Sequence, residues 1–126
     1  MPELSNATWF RSGTNKSGAL IAKNRFLAPG ATPGEVVYPA AVTTVGEGVS
    51  TEDIPDGYTG SYQRDGIALV ECSAGIAINA LVQSGTDGRA ATAATNSAIR
   101  GRAKTATTTP GELVEVELWN GRFIAP

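Results

Sequence analysis

Histidine is absent from the 126-residue sequence, and cysteine occurs once, as Cys72. Without histidine the chain cannot build a Ser-His-Asp or Cys-His catalytic arrangement, or a zinc site that contains histidine. A single cysteine allows no disulfide within the chain and no cysteine-only zinc or iron–sulfur site. We therefore expect no metal site, no cofactor and no enzymatic activity.

Charged residues are also scarce, at 17% of the chain with a net charge of −2. A nucleic-acid-binding protein normally shows a basic excess, so no nucleic-acid partner is expected. No apolar run approaches the roughly 20 residues of a membrane span. The N-terminus also lacks the basic start and apolar stretch of a signal peptide. These features predict a soluble protein that is made and used without secretion and has no membrane partner.

Glycine (15) and proline (7) are plentiful, and alanine and threonine recur throughout the sequence. This composition favours a compact all-β domain with many turns over a helical bundle. From residue 19 onward, short apolar segments alternate with Pro-Gly and Asp-Gly turn signals. We predict an all-β fold, a small β-barrel or β-sandwich over residues 19–126.

Residues 1–18 show no clear period and are rich in Ser, Asn, Thr and Gly. They nevertheless carry Leu4, Trp9 and Phe10, which suit a solvent-exposed tail poorly. The aromatic pair either packs on its own domain or anchors an arm to a neighbouring molecule. We predict an extended N-terminal arm over residues 1–18, with Leu4, Trp9, Phe10 and Arg11 as its candidate anchors.

The stretch GELVEVELW, residues 111–119, alternates apolar and acidic side chains and predicts a half-buried strand. Glu115 and Glu117 share one face, roughly 6.5–7 Å apart. That separation is close to the range of about 6.5–9.5 Å at which a carboxylate pair serves an inverting glycosidase. The alternatives are a solvated face or half of an interface.

Basic residues with the same alternation precede this strand: Arg100, Arg102 and Lys104. An antiparallel hairpin through residues 106–111 with Arg102 opposite Glu115 places Arg100 opposite Glu117. Positive neighbours keep a carboxylate ionised, whereas a catalytic acid usually needs a raised pKa. We therefore predict a charged hairpin face formed by these five side chains, not a catalytic pair.

The run DGIALVECSAGIAINALVQSGTDGRAATA, followed by IRGRAKTATTTPGELVEVEL, resembles the small capsid decoration (cement) proteins of tailed bacteriophages. The resemblance covers roughly residues 65–118, less than half the chain. It rests on turn residues and small residues and includes no catalytic motif. The matching residues are Ala74-Gly75, Ile76-Ala77, Leu81-Val82, Asp87-Gly88-Arg89-Ala90, Gly101-Arg102-Ala103 and Gly111-Glu112-Leu113-Val114.

This resemblance implies a small β-barrel or β-sandwich, often a homotrimer, bound to the major capsid protein at threefold or quasi-threefold positions. It implies a protein that is made in the host cytoplasm, resides on the outer capsid surface of the virion and stabilises the expanded head. The N-terminal arm would then contact the capsid, and the charged hairpin face a sister subunit or the capsid.

Two other functions are compatible with the sequence. The first is another virion β-module, such as a tail-tube or head-completion subunit. The second is a carbohydrate-binding module, which usually lines a groove with exposed aromatic side chains. Only 6% of this chain is aromatic and there is no clustered stripe of aromatic residues, which disfavours the second function.

Overall fold

A computed structural model describes residues 10–44 and 46–119. Within these ranges the chain forms ten short strands and no helix, which confirms the predicted all-β fold. The strands are β1 (Phe10–Asn15), β2 (Phe26–Pro29), β3 (Glu35–Val37), β4 (Gly48–Ser50), β5 (Thr59–Gln63), β6 (Ile67–Glu71), β7 (Leu81–Ser84), β8 (Ala90–Thr92), β9 (Gly101–Ala103) and β10 (Leu113–Leu118).

The first five strands close into a barrel in the order β1-β3-β2-β4-β5. Its interior holds one apolar cluster, formed by Ile21, Leu27, Val36, Ile54 and Tyr62. Such a narrow barrel has little room at its axis, and glycine provides it. A Cβ at Gly13 would lie 2.7 Å from the Val36 side chain. The missing side chain therefore allows the valine to fill the interior.

The last five strands form a second sheet in the order β6-β10-β9-β7-β8, so that β10 lies between β6 and β9. Val114 and Val116 are completely buried, whereas Glu115 and Glu117 are exposed. This confirms the alternation predicted from the sequence of β10. The valines pack inward because residues two apart on a strand share one face of the sheet.

The barrel and the second sheet share an apolar core. Phe26 of β2 and Val49 of β4 belong to the same buried cluster as Val70, Val114 and Val116 of the sheet. Each fully buried side chain of this size contributes roughly 1.5–3 kcal/mol. The two layers are therefore held together by the same hydrophobic burial that stabilises each of them.

One boundary of the predicted domain organisation needs correction, because β1 belongs to the barrel. Residues 10–14 of β1 pair with β5, and Thr14 and Asn15 pair with β3. The assignment of residues 10–15 to an arm is therefore wrong. The strand is hard to recognise because its inward positions are Gly13 and the buried Asn15 instead of apolar residues. Residues 1–9, including Leu4 and Trp9, lie outside the described residues, so their role as an arm stays a prediction.

Candidate functional site: the outer face of the second sheet

The predicted charged hairpin exists, with a register that differs by two residues from the expected one. Arg102 pairs with Glu117 and Ala103 with Val116. Lys104 follows opposite Glu115, and its N–H donates to the Glu115 carbonyl at 2.7 Å. A two-residue shift keeps the paired side chains of β9 and β10 on their predicted faces, so the alternation alone could not distinguish the two registers.

The charged side chains of this hairpin lie near one another without forming ion pairs. Within residues 10–44 and 46–119, no oppositely charged group lies within 4.0 Å of Glu115 or Glu117. Arg102 instead donates from Nη1 to the Asn79 carbonyl at 3.0 Å. Its guanidinium also lies 5.6 Å from the centre of the Trp119 ring. Exposed charges at such distances contribute little to stability, so these residues are available for an interface.

Arg100 does not belong to the charged face, and its predicted position opposite Glu117 is wrong. Its side chain is buried, and it donates from Nη1 to the Leu27 carbonyl at 3.1 Å and from Nη2 to the Thr44 carbonyl at 2.8 Å. The guanidinium carbon lies 5.6 Å from the centre of the Phe26 ring. Arg100 precedes β9, so the alternation of that strand does not extend to it. Burial lowers the pKa of Arg100 to about 10.

A row of exposed apolar side chains completes the outer face, and the sequence analysis did not identify it. Ile67 lies opposite Glu117, Leu69 opposite Glu115, and Leu113 opposite Glu71. These three apolar side chains are 52%, 47% and 45% exposed. The segment IALVE is apolar on both faces of β6. Because β6 is an edge strand, one of its two apolar rows is left in solvent. This apolar run on both faces is the sequence feature from which the exposed row could have been predicted.

We call the side chains of Ile67, Leu69, Leu113, Glu115 and Glu117 the outer apolar–acidic face. Exposed apolar residues that form a group, as opposed to scattered ones, are typical of interaction surfaces. The face is part of a pleated sheet and is bordered by the basic side chains of β9. This arrangement suits recognition of another protein surface better than chemistry on a small substrate, which is usually enclosed in a concave site.

The two anchors of the predicted arm that can be described lie at the start of β1. Phe10 pairs with Gln63 and Arg11 with Tyr62. Phe10 is 58% exposed, and Arg11 is also exposed. Both side chains are thus accessible, although the backbone that carries them is part of the barrel.

Ion pairs join the barrel to the second sheet. Arg25 contacts Glu71 of β6 at 3.5 Å, and Arg89 contacts the same carboxylate at 3.6 Å. Arg89 also pairs with Asp87 at 2.8 Å. Partial burial opposes ionisation of Asp87, but the hydrogen bonds from Arg89 outweigh that effect and lower its pKa. The network fixes the relative position of the two layers at the β6 end of the outer face.

Among residues 10–44 and 46–119, no group of three or more acidic or cysteine side chains is placed to hold a metal ion. None of these residues forms a helix long and apolar enough to span a membrane.

No protein-family model matches the sequence, and a search of curated proteins gives no match. Among solved structures, the chain is similar to the crystal structure of the head fiber gp8.5 N base in bacteriophage phi29. The TM-score is 0.71 at 19% sequence identity, over 93% of this chain and 98% of that chain. The two chains share a fold.

Proposed function

We propose that this chain is a structural protein of a bacteriophage virion that binds the outer surface of the capsid and stabilises the mature head. The observation that carries the proposal is the similarity of fold, over nearly the whole of both chains, to the base of a phage head fibre. The resemblance of residues 65–118 to capsid decoration proteins supports the same function from the sequence.

The mechanism would be thermodynamic linkage. A protein that binds the expanded lattice, but not its unexpanded precursor, stabilises the expanded form by mass action. At a free concentration one hundred times Kd this amounts to about 2.7 kcal/mol per site. A homotrimer would add avidity, because three weak contacts to one lattice act together.

Two surfaces are the candidate contacts with the capsid or a sister subunit. One is the outer apolar–acidic face with its basic neighbours Arg102 and Lys104. The other is the N-terminal region that includes Leu4, Trp9, Phe10 and Arg11. Apolar anchors bordered by charged residues are the usual composition of protein–protein interfaces.

The direct test is cosedimentation of the purified chain with expanded capsids from the phage that encodes it, prepared without this protein. We expect saturable binding to expanded capsids and much weaker binding to unexpanded precursors. Bound heads should release DNA at a higher temperature than bare heads. Absence of binding to expanded capsids would contradict the proposal.

Deletion of residues 1–9 tests the N-terminal region without removing a barrel strand. We expect the truncated chain to keep its thermal unfolding midpoint and to lose capsid affinity, because Leu4 and Trp9 are removed. A matched control replaces Tyr58, which is 66% exposed and belongs to neither candidate surface, by serine in the full chain, and it should keep its capsid affinity. Unchanged capsid affinity in the truncated chain would show that residues 1–9 are not a docking arm.

A second function is favoured by one observation, namely that the similar structure is the base of a head fibre. The chain would then attach an extended appendage to the head without stabilising the lattice. In that case it binds expanded capsids but does not change the temperature of DNA release. Analytical ultracentrifugation tests the proposed trimer, and a hexameric ring would instead favour a tail-tube subunit.

A further inference from the structure

β6 is an edge strand of the second sheet, with β10 on one side. On the other side the described chain pairs only just beyond β6, where an isolated bridge joins Cys72 to Ala90 of β8. A cleft of about 230 Å³ lies along the unpaired side. Its walls come from the barrel and from β6 itself. Its lining residues include Lys23, Val49, Ile67, Ala68 and Leu69.

The hydrogen bonds between β6 and β10 show which backbone groups point into this cleft. Leu118 N–H donates to the Gly66 carbonyl at 2.8 Å, and Cys72 N–H donates to the Glu112 carbonyl at 2.9 Å. In an antiparallel pair such bonded positions recur at every second residue. Ala68 and Val70 therefore bond to β10, and the N–H and C=O of Leu69 point away from it, towards the cleft.

The neighbouring outward-pointing groups of β6 are already paired. Gln63 donates from its side-chain amide to the Ile67 carbonyl at 2.9 Å. At the other end, Glu71 N–H donates to the Asn24 carbonyl at 2.9 Å. Between these two bonds, the backbone groups of Leu69 have no partner in the part of the chain that the structure describes. The open stretch is therefore centred on Leu69, between the occupied carbonyl of Ile67 and the occupied N–H of Glu71, and it offers one N–H and one C=O to an added segment.

We propose that this cleft binds a short extended segment of the capsid protein by β-strand addition. The inference rests on the proposed function and specifies how that function is performed. The backbone of the segment would bond to the N–H and C=O of Leu69. Its side chains would alternate, with an apolar one beside Ile67 and Leu69 on the outside and small ones above the buried Ala68 and Val49.

Charge predicts a further property of this segment. Lys23 is exposed at the rim of the cleft, and no carboxylate lies within 4.0 Å of its ammonium group among the described residues. Its own backbone N–H is bonded to Asp53, at 2.8 Å from that carboxylate. An acidic side chain in the segment would complement the ammonium group. The β6 edge of a second copy of this chain would fit the cleft less well, because the barrel of that copy lies next to its β6 and would obstruct the approach of the two edges.

The test compares capsid affinities of four variants with that of the wild-type chain. Leu69→Pro removes the outward N–H without breaking a bond to β10, and we expect binding to weaken about tenfold or more. Leu69→Ile keeps both the backbone groups and an apolar side chain, and it should retain most of the affinity. Lys23→Glu should weaken binding about tenfold, whereas Lys16→Glu, which reverses an exposed lysine that does not line the cleft, should not.

Hydrogen exchange of the wild-type chain provides a measurement that does not depend on the folding of any variant. We expect the amide of Leu69 to exchange quickly in the free protein and to become protected on expanded capsids. Unchanged exchange at Leu69 in the bound state, or equal affinities of wild type and Leu69→Pro, would overturn the inference and leave the proposed function intact. Failure of the wild-type chain to bind capsids would overturn both.

Discussion

At the scale of single residues, Tyr62 is a buried barrel side chain that is linked through Glu47 to Arg64. Its hydroxyl donates to Glu47 at 2.5 Å, and Arg64 pairs with the same carboxylate at 3.0 Å. Burial is the largest cause that raises the pKa of Tyr62 to about 12, and the hydrogen bond to Glu47 is the next. The folded state therefore favours the neutral phenol.

This coupling predicts a loss of stability at alkaline pH. An unfolded tyrosine ionises near pH 10, so Tyr62 contributes fully below that value and its contribution is lost as the pH rises to about 12. We expect the wild type to lose about 1 kcal/mol by pH 11 relative to Tyr62→Phe, which cannot ionise. Urea unfolding of both proteins at pH 8 and pH 11 measures this difference. An equal pH dependence in the two proteins would contradict the coupling.

Arg100 shows where residue-level prediction from sequence fails. Its alternation with Arg102 and Lys104 indicated an exposed face, and for those two residues the face is as predicted. Arg100 lies one residue before β9, and the backbone carbonyls of Leu27 and Thr44 receive its guanidinium. Both partners are distant in sequence, so no local sequence pattern predicts these hydrogen bonds.

At the scale of strands, the close pairing of β9 and β10 depends on Gly101. A Cβ at this position would overlap the carbonyl oxygen of Glu117 and lie 2.9 Å from the Val116 side chain. The obstacle is the backbone of β10, which cannot move without disturbing its pairing with β6. Glycine is therefore required here by close approach.

Alanine at position 101 should destabilise the protein by about 3 kcal/mol, because the strands must separate. Gly111→Ala is the matched control, since Gly111 has a φ of +92° but no atom within 4 Å of the added Cβ. That substitution should cost only about 1 kcal/mol of backbone strain. Chemical denaturation of the two variants gives the comparison. Similar costs for both would show that the strands can accommodate a side chain at position 101.

The strands also differ in how well the sequence predicts them. β10 was predicted with its inward valines and outward acids because it alternates strictly over its length. β1 was assigned to an arm because its inward residues are glycine and asparagine, which carry no apolar period. The outer row of β6 was missed for the opposite reason, since its apolar residues occupy both faces.

At the scale of the whole molecule, Phe26 connects the two layers. It belongs to a barrel strand, yet its buried side chain packs in the core of the second sheet. The barrel therefore does not bury all its own apolar surface without the sheet. We expect the two layers to unfold together.

Phe26→Ala should cost about 4 kcal/mol and lower the stability of both layers equally. Near-ultraviolet circular dichroism of the tyrosines reports the barrel, and fluorescence of Trp119 in a Trp9→Phe background reports the sheet. Coincident unfolding midpoints are expected in the wild type and in the variant. Ile78→Ala, at a residue that is 58% exposed, serves as a control with little expected effect. Two separate transitions would contradict a shared core.

The fold class was predictable from composition and turn signals, but the division into a closed barrel and a second sheet was not. That division depends on pairings between distant segments, such as β1 with β5 and β6 with β10. Loop and turn residues indicate where strands end, and they do not determine which strands meet. For the same reason the cleft beside β6 cannot be predicted from the sequence.

The position of β10 inside its sheet has a consequence for biosynthesis. β10 separates β6 from β9, yet it is made after the other nine strands of the described residues. While the chain is being synthesised, β6 and β9 have no common neighbour, and the row of Val70 and Ala68 lacks the valines that cover it. We therefore expect the complete sheet to form only after residue 118 has left the ribosome. Such non-local pairing is typical of domains that fold in milliseconds to seconds. During that time β6 is exposed and accessible to a chaperone.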